Sequence, residues 1–504
     1  MSQPQVSAPP RFDPARRRAV TLALVLVSAL ASFESTVVST AMPTIIGDLG
    51  GLPLYAWVFS IYLLTSTVAM PVYGRLADIH GRRRMLLSGI AIFLAGAVAC
   101  AFARSMPQLI AARALQGLGA AGLIPISMTV AADIYSIEER AKIQGVFSAV
   151  WGFSALVGPL VGAFLTVRFG WRSVFTINIP LGIVAFFIVA TRLVESRGSS
   201  RDPMDFAGTA ALAAGITLIL FGVLHTPGPA GGGSLALRLA LIVAGSCALA
   251  GFAALQARRR HPLVPPQLFR HWDSASPYLS AILLGTTIFG VDTFVPLFVQ
   301  GARGGTAAAA GAVVTPLVLF WALSAALGGR IVVRFGFRPT ARLGAVLALV
   351  GIAGLVAAAL ANASVAWVSA ACAVIGAGLG PSSIAQVLAI QHVAPESQRG
   401  IATSLVPFFR TVGGSVGVGA LGGTFAAGLA MRLGDRMEDA GRILAGVHGP
   451  SGAGVAGSAT PPIFRLAIER SLVPVFAVLL GLATLNVFVA ARFPELPARR
   501  AEAT

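Results

Sequence analysis

GRLADIHGRR, residues Gly74 to Arg83, recurs without a gap as GRIVVRFGFR, residues Gly329 to Arg338, at an offset of 255. Each copy ends one long apolar run and opens a basic connection to the next. A second match pairs EERAK around Arg140 with SQRGI around Arg399, at an offset of 259. Two matches in the same order point to an internal duplication, the building plan of many membrane transporters.

The runs around these repeats are long. The chain has 504 residues, 56% hydrophobic and 11% charged, with a mean hydropathy of +0.82. A bilayer core about 30 Å thick takes roughly 20 apolar residues per helical span. Fourteen stretches qualify, near 19–45, 54–73, 85–104, 107–130, 143–167, 173–193, 205–225, 235–256, 275–299, 306–329, 340–361, 364–390, 402–429 and 471–491. The first follows Arg16, Arg17 and Arg18 and is long enough to be a span, so it is read as helix 1 and not as a cleavable signal. The expected fold is all-α and polytopic, with two six-helix bundles plus two extra helices. Its divisions are a cytoplasmic tail 1–18, a bundle 19–193, a linker 194–260 carrying helices 7 and 8, a bundle 261–491 and a cytoplasmic tail 492–504. The stretch 430–470, containing GVHGPSGAGVAGSATPP, reads as a long outer loop or a partly reclined helix.

The net charge of +18 raises the question of a nucleic-acid partner. The distribution argues against one, because the basic residues sit mostly in short connections between apolar runs. With the N-terminus placed in the cytoplasm, 25 of the 37 Lys and Arg fall in cytoplasmic segments, 10 in outer loops and 2 within spans. Half of the outer ones, Arg432, Arg436, Arg442, Arg465 and Arg470, lie in the long connection where the positive-inside rule loses force. Both termini are therefore expected to be cytoplasmic. Cys100, Cys247 and Cys372 each sit in an apolar stretch without a CxxC or Cys/His cluster. The sequence carries no cofactor motif, metal cluster, nucleophile with a partnered His or GxxxxGK[ST] loop. It reads as neither an enzyme nor a pump driven by ATP through this chain.

Ionisable groups at bilayer depth are costly, and so are functional candidates. Glu34 lies about fifteen residues, roughly 22 Å, into helix 1. It can carry a proton, recognise a cationic substrate or be a satisfied structural carboxylate. Arg113 in helix 4 requires a carboxylate such as Glu34, or a ring of carbonyls. Asp292 in helix 9 either serves substrate or protons or lies nearer the outer surface. Arg410 in helix 13, followed by Gly413 and Gly414, is a further possible site. Asp78, four residues after Gly74, can accept from a helix N-terminus and pair with arginine. In helix 5, Gly152, Gly158 and Gly162 permit close helix contact and Pro159 frees a backbone carbonyl, a pattern that also serves ordinary packing.

Several stretches together resemble one family. GRLADIHGRRR (Gly74–Arg84) is similar to the loop 2–3 signature of the major facilitator superfamily, with Gly74, Asp78, Gly81, Arg82 and Arg83 in place. ESTVVSTAMPTI (Glu34–Ile45), RALQGLGAAG (Arg113–Gly122), GFSALVGPLVGA (Gly152–Ala163), WRSVFTINIPLG (Trp171–Gly182) and FRTVGGSVGVG (Phe409–Gly419) resemble patterns of its fourteen-helix drug:proton antiporters, the EmrB/QacA group. Glu34 stands where that group has aspartate, and Ala163 where it has glycine. The resemblance implies the major facilitator fold and proton-driven efflux of amphipathic or hydrophobic drugs across a bacterial inner membrane, hence antibiotic resistance. A dedicated exporter or symporter of one metabolite is the alternative. It implicates Arg113 in proton coupling and makes Asp78 a latch whose partner lies near the start of helix 13. A monomer without cofactor is implied, and no segment identifies a periplasmic adaptor.

Overall fold

The computed structural model describes residues 13–49, 55–194, 205–224, 235–259, 262, 264–305, 307–361, 363–433 and 462–495. Among them the regular structure is helical. The long helices are α1 (Pro14–Leu49), α2 (Tyr55–His80), α3 (Arg82–Ala101), α4 (Met106–Ile134), α5 (Ile137–Phe169), α6 (Asn178–Arg192), α7 (Phe206–Leu224) and α8 (Leu235–Arg258). They continue with α9 (Trp272–Leu297), α10 (Ala307–Phe335), α11 (Phe337–Leu360), α12 (Val365–Val393), α13 (Arg399–Leu433) and α14 (Pro462–Ala490). By length and composition, 11 helices among the described residues can cross a membrane.

Local chemistry sets several helix ends. Ser105 caps α4, its side chain accepting from the Gln108 amide. Ser136 and Glu139 form a reciprocal capping box at the start of α5. Gly81 and Gly336 turn the chain between α2 and α3 and between α10 and α11 at φ 95° and 90°, a region that disfavours side chains. The helices outrun the apolar windows, because backbone hydrogen bonding continues into polar ends that hydropathy does not count. Thus α2 reaches His80 and α1 starts at Pro14, inside the stretch read as a tail. Likewise α13 runs to Leu433 and α14 begins at Pro462, so residues 430–433 and 462–470 of the supposed outer loop are helical. The remainder of that loop, 434–461, lies outside the described residues, as do 1–12 and 496–504 of the two tails.

The chain divides into two compact units. The first comprises Met1–Ala210, Gln256–Pro265 and Ile390–Leu405; the second comprises Ala211–Leu255, Pro266–Ala389 and Val406–Thr504. In the first, α1 packs on α4, α5 and α6, while α4 packs on α2 and α3. A core of Met42, Cys100, Leu109, Trp171 and Phe175 lies among them. In the second, α14 packs on α9 and α11 around Phe294, Phe298, Phe425 and Phe476. Asp205 opens α7 and accepts from the Gly208 amide at 2.9 Å and from Gln256 Nε2 at 2.7 Å.

The duplication is visible in backbone approach. A Cβ on Gly96 would lie 2.5 Å from the Gln116 amide, and one on Gly119 2.2 Å from the Phe93 amide, so α3 and α4 touch main chain to main chain. In the second unit a Cβ on Gly351 would lie 2.7 Å from the Ile375 amide and one on Gly378 2.5 Å from the Ala348 amide. The α11 positions are offset from α3 by 255 and the α12 positions from α4 by 259, the same spacings as the two sequence matches. The caps repeat as well: Arg83 donates to the Ala190 carbonyl after α3 opens, and Arg338 donates to the Phe493 carbonyl after α11 opens.

These contacts leave no room for a methyl group. Gly119→Ala and Gly378→Ala are each expected to destabilise by about 1–3 kcal/mol through overpacking. Gly251→Ala on α8, where a Cβ meets nothing within 4 Å, is expected to stabilise by up to about 1 kcal/mol. Thermal unfolding of the detergent-solubilised chain reads the difference, and equal midpoints for Gly119→Ala and Gly251→Ala would contradict the packing.

Candidate functional site

The first unit buries a charge network, in which Gln116 Nε2 and Asn178 Oδ1 are left without a hydrogen-bond partner among the described residues. Glu34 on α1 and Arg113 on α4 are each 1% exposed, so water cannot compensate either charge. Arg113 Nη1 donates to Glu34 Oε1 and, at 2.8 Å, to Gln116 Oε1. Its Nε donates to the Val58 carbonyl at 3.2 Å, and its guanidinium lies 4.2 Å from the Tyr62 ring centroid. The second carboxylate oxygen of Glu34 accepts from Asn178 Nδ2 at 2.6 Å, at the first residue of α6. Four helices therefore converge on one ion pair.

The RALQGLG stretch explains this locally. Arg113 and Gln116 are three residues apart and share a face of α4. Gly117 follows, and a Cβ there would lie 2.2 Å from Thr65 Oγ1 and 2.6 Å from the Tyr62 carbonyl. Its absence lets α2 approach closely enough to bring Val58 and Tyr62 to the guanidinium.

A second cluster closes the α2–α3 end of the same unit. The fully buried Asp78 carboxylate accepts from the Gly400 and Ile401 amides, each at 2.9 Å, at the first turn of α13. This is a carboxylate on a helix N-terminus, where free amides and the helix dipole favour negative charge. Arg82 Nη2 stands 3.4 Å from Asp78 Oδ1, and Arg82 Nε 3.2 Å from Asp133 Oδ2. Arg399 Nη1 lies 3.0 Å from the other oxygen of Asp133. Gly74 and Gly400 are contact points: a Cβ on Gly74 would lie 2.2 Å from Ser404 Oγ, and one on Gly400 2.4 Å from Asp78 Oδ1. Gly81 supplies the turn described above, and Arg83 caps the end of α6.

The other sequence-derived residues lie apart from these clusters. Gly158 and Gly162 are buried along α5, which packs on α1, and Gly152 is half-buried. The side chain of Pro159 lies outside the described residues. Asp292 is on α9 of the second unit and is exposed. Arg410 is on α13 of the second unit, half-buried, and hydrogen-bonded to Gln386 Oε1 at 2.9 Å.

Sequence reasoning assigned no role to Asn178, Gln116 or Asp133. Asn178 sits inside TINIPLG and Gln116 inside RALQGLG, but neutral amides in apolar runs carry no charge signal. Asp133, next to last in α4, lies outside the quoted motifs.

Replacing Asp78 by Asn removes the charge from the α13 terminus and one of two acceptors. Amide exchange at Gly400 and Ile401 is expected to accelerate about fivefold or more, corresponding to roughly 1 kcal/mol of charge–dipole interaction. Unchanged exchange would show that α13 does not depend on this carboxylate.

Comparison with known proteins places the chain. The Major Facilitator Superfamily model matches residues 24–418. Multidrug transporter protein MdtP of Bacillus subtilis is 32% identical over 84% of this chain and 78% of its own length. Multidrug resistance protein 3 of the same organism is 30% identical over 90% of this chain and 87% of its own. The proton:xylose symporter XylE superposes with a TM-score of 0.64 at 15% identity, covering 96% of this chain and 97% of that one, a likeness of fold. The chain belongs to the Major Facilitator Superfamily and is a multi-pass membrane transporter, not an enzyme, with relatives that are multidrug transporters.

Proposed function

We propose that the chain is a proton-coupled exporter of amphipathic or hydrophobic small molecules, a drug:proton antiporter of the fourteen-helix EmrB/QacA type working by alternating access. In this reading all fourteen long helices cross a bacterial inner membrane, both termini are cytoplasmic, helices 7 and 8 join two six-helix bundles, and the chain acts as a monomer. The observation that carries it is the Glu34–Arg113 pair, shut away from water. Arg113 and Asn178 donate to the two oxygens of this carboxylate. A proton that reaches it cancels the attraction and leaves Arg113 supported by Gln116, the Val58 carbonyl and the Tyr62 face. Loading the proton therefore changes what holds α1, α2, α4 and α6 together.

Helix α2 gives that change a reach. Val58 and Tyr62 meet Arg113 near one end, and Gly74 and Asp78 hold α13 near the other. Val58 and Asp78 are twenty positions apart, about 30 Å of helix, with Pro71 interrupting the hydrogen-bond ladder on the way. Asp78 acts as a latch on α13 that must open once per cycle, and Arg82, Asp133 and Arg399 brace it. Gly152, Gly158, Pro159 and Gly162 carry the antiporter motif in the sequence of α5, the helix that packs on α1. The multidrug names of the relatives support drug-like cargo.

The test is Glu34→Gln in everted membrane vesicles loaded with a pH-sensitive dye. Adding a lipophilic cation such as ethidium to energised vesicles is expected to discharge the proton gradient with the native chain. The variant is expected to lose this response about tenfold or more, within the range of coupling free energies between linked sites. Full ethidium-driven proton movement by Glu34→Gln would remove Glu34 from coupling. Cargo entry that builds up with the proton gradient in whole cells would replace export by symport.

A further inference from the structure

The second unit holds an arginine on opposite terms from Arg113. Arg410 Nη2 donates to Gln386 Oε1 at 2.9 Å, Gln386 Nε2 donates to Ser280 Oγ at 3.0 Å, and Ser280 donates to Asn486 Oδ1 at 2.7 Å. Gln386, Ser280 and Asn486 are buried and neutral. Gln386 and Ser280 each pass a donor onward and Asn486 accepts the last, so their dipoles favour the cation without cancelling it. Arg410 Nε is buried and has no hydrogen-bond partner, and no carboxylate forms an ion pair with this guanidinium among the described residues. The side chain is half-buried, so it is not shut away as Arg113 is.

Its backbone is fixed by close packing. A Cβ on Gly285 would lie 1.9 Å from the Arg410 carbonyl, and Thr286 Oγ1 donates to the Gly413 carbonyl at 2.8 Å. Asp292, the carboxylate on the same packed helix, is seven residues past Gly285, about 10 Å along the axis. The fold does not require a charge here, because the position 259 residues earlier in the duplication is Trp151. An uncompensated cation within a membrane-spanning helix calls for a partner that arrives from outside the chain.

We propose that Arg410 is an anion subsite for cargo, binding the carboxylate, sulfonate or phosphate head of an acidic amphiphile. The planar guanidinium presents paired donors to such a head, the apolar helices around it receive the hydrophobic body, and the Gln386–Ser280–Asn486 chain holds the donors in place. The proposal rests on reading the chain as an exporter of amphiphiles and names the class of cargo. Division of labour follows: the first unit neutralises its arginine internally, and the second leaves its arginine for the ligand.

The test is equilibrium binding to the purified full chain in detergent, without a proton gradient, using fluorescent pyrenebutyric acid and its methyl ester. The native chain is expected to bind the acid about tenfold or more tighter than the ester, the value of a charge-assisted hydrogen bond. That ratio should fall to near one in Arg410→Gln and be partly kept in Arg410→Lys. No preference for the acid in the native chain, or a preference that survives Arg410→Gln, overturns the proposal. Should Arg410→Gln fail to fold, the native ratio and Arg410→Lys decide alone. Competition by butyrate equal to that by pyrenebutyrate marks a site for small anions and overturns the assignment to amphiphilic cargo. Absence of an acid preference in the native chain, with its ethidium-coupled proton movement intact, sinks this inference and not the antiport reading; a native acid preference without coupled proton movement does the opposite.

Discussion

Burial of Glu34 against Arg113 is the constraint on which the first unit turns. Either charge alone, removed from water, would cost several kcal/mol, and deleting one partner of such a pair typically costs about 3–5 kcal/mol. The pair is affordable only because Asn178, Gln116, the Val58 carbonyl and the Tyr62 ring meet the remaining donors and lone pairs. These partners come from four helices, so the ion pair fixes the register of α1, α2, α4 and α6 together. A well-packed apolar substitute would serve stability as well or better. That such a pair is present is therefore an argument for use.

The duplication separates what the fold needs from what the function needs. Glycine-mediated approaches of α3 to α4 recur between α11 and α12 at the same spacings, and so do the positive-φ glycines and the arginine caps. Three charges do not recur: Asp78 corresponds to Val333, Arg113 to Cys372, and Arg410 to Trp151. Backbone geometry and the arginines of the caps are shared by both halves, whereas these three side chains are not. A residue that the second copy of the fold does without is not there to hold the fold.

Much of this was legible in the residues. Apolar runs placed the helices, since each needs length and low polarity, and the GRLADIHGRR repeat located the turns at Gly81 and Gly336. The sequence also marked Glu34 and Arg113, because charge in an apolar run stands out, and Asp78, through the GRLADIHGRR stretch. What it hid was neutral or distant. Asn178 and Gln116 are amides whose importance comes only from the carboxylate and guanidinium they face. The partner of Asp78, expected near the start of helix 13, is a pair of backbone amides 322 and 323 residues away; the resemblance pointed there, because a main-chain donor leaves no mark in composition. Helix ends ran past the hydropathy windows because hydrogen bonding, and not hydrophobicity, terminates a helix.

The central claim is that Glu34 gains and loses the proton that drives transport. Infrared difference spectroscopy of the reconstituted chain between alkaline and acidic pH tests it most directly, because a protonated carboxyl has its own carbonyl band. The account predicts such a band in the native protein and its loss in Glu34→Gln. A band of equal size in the variant, or no carboxyl band across the pH range in which transport responds, would contradict it.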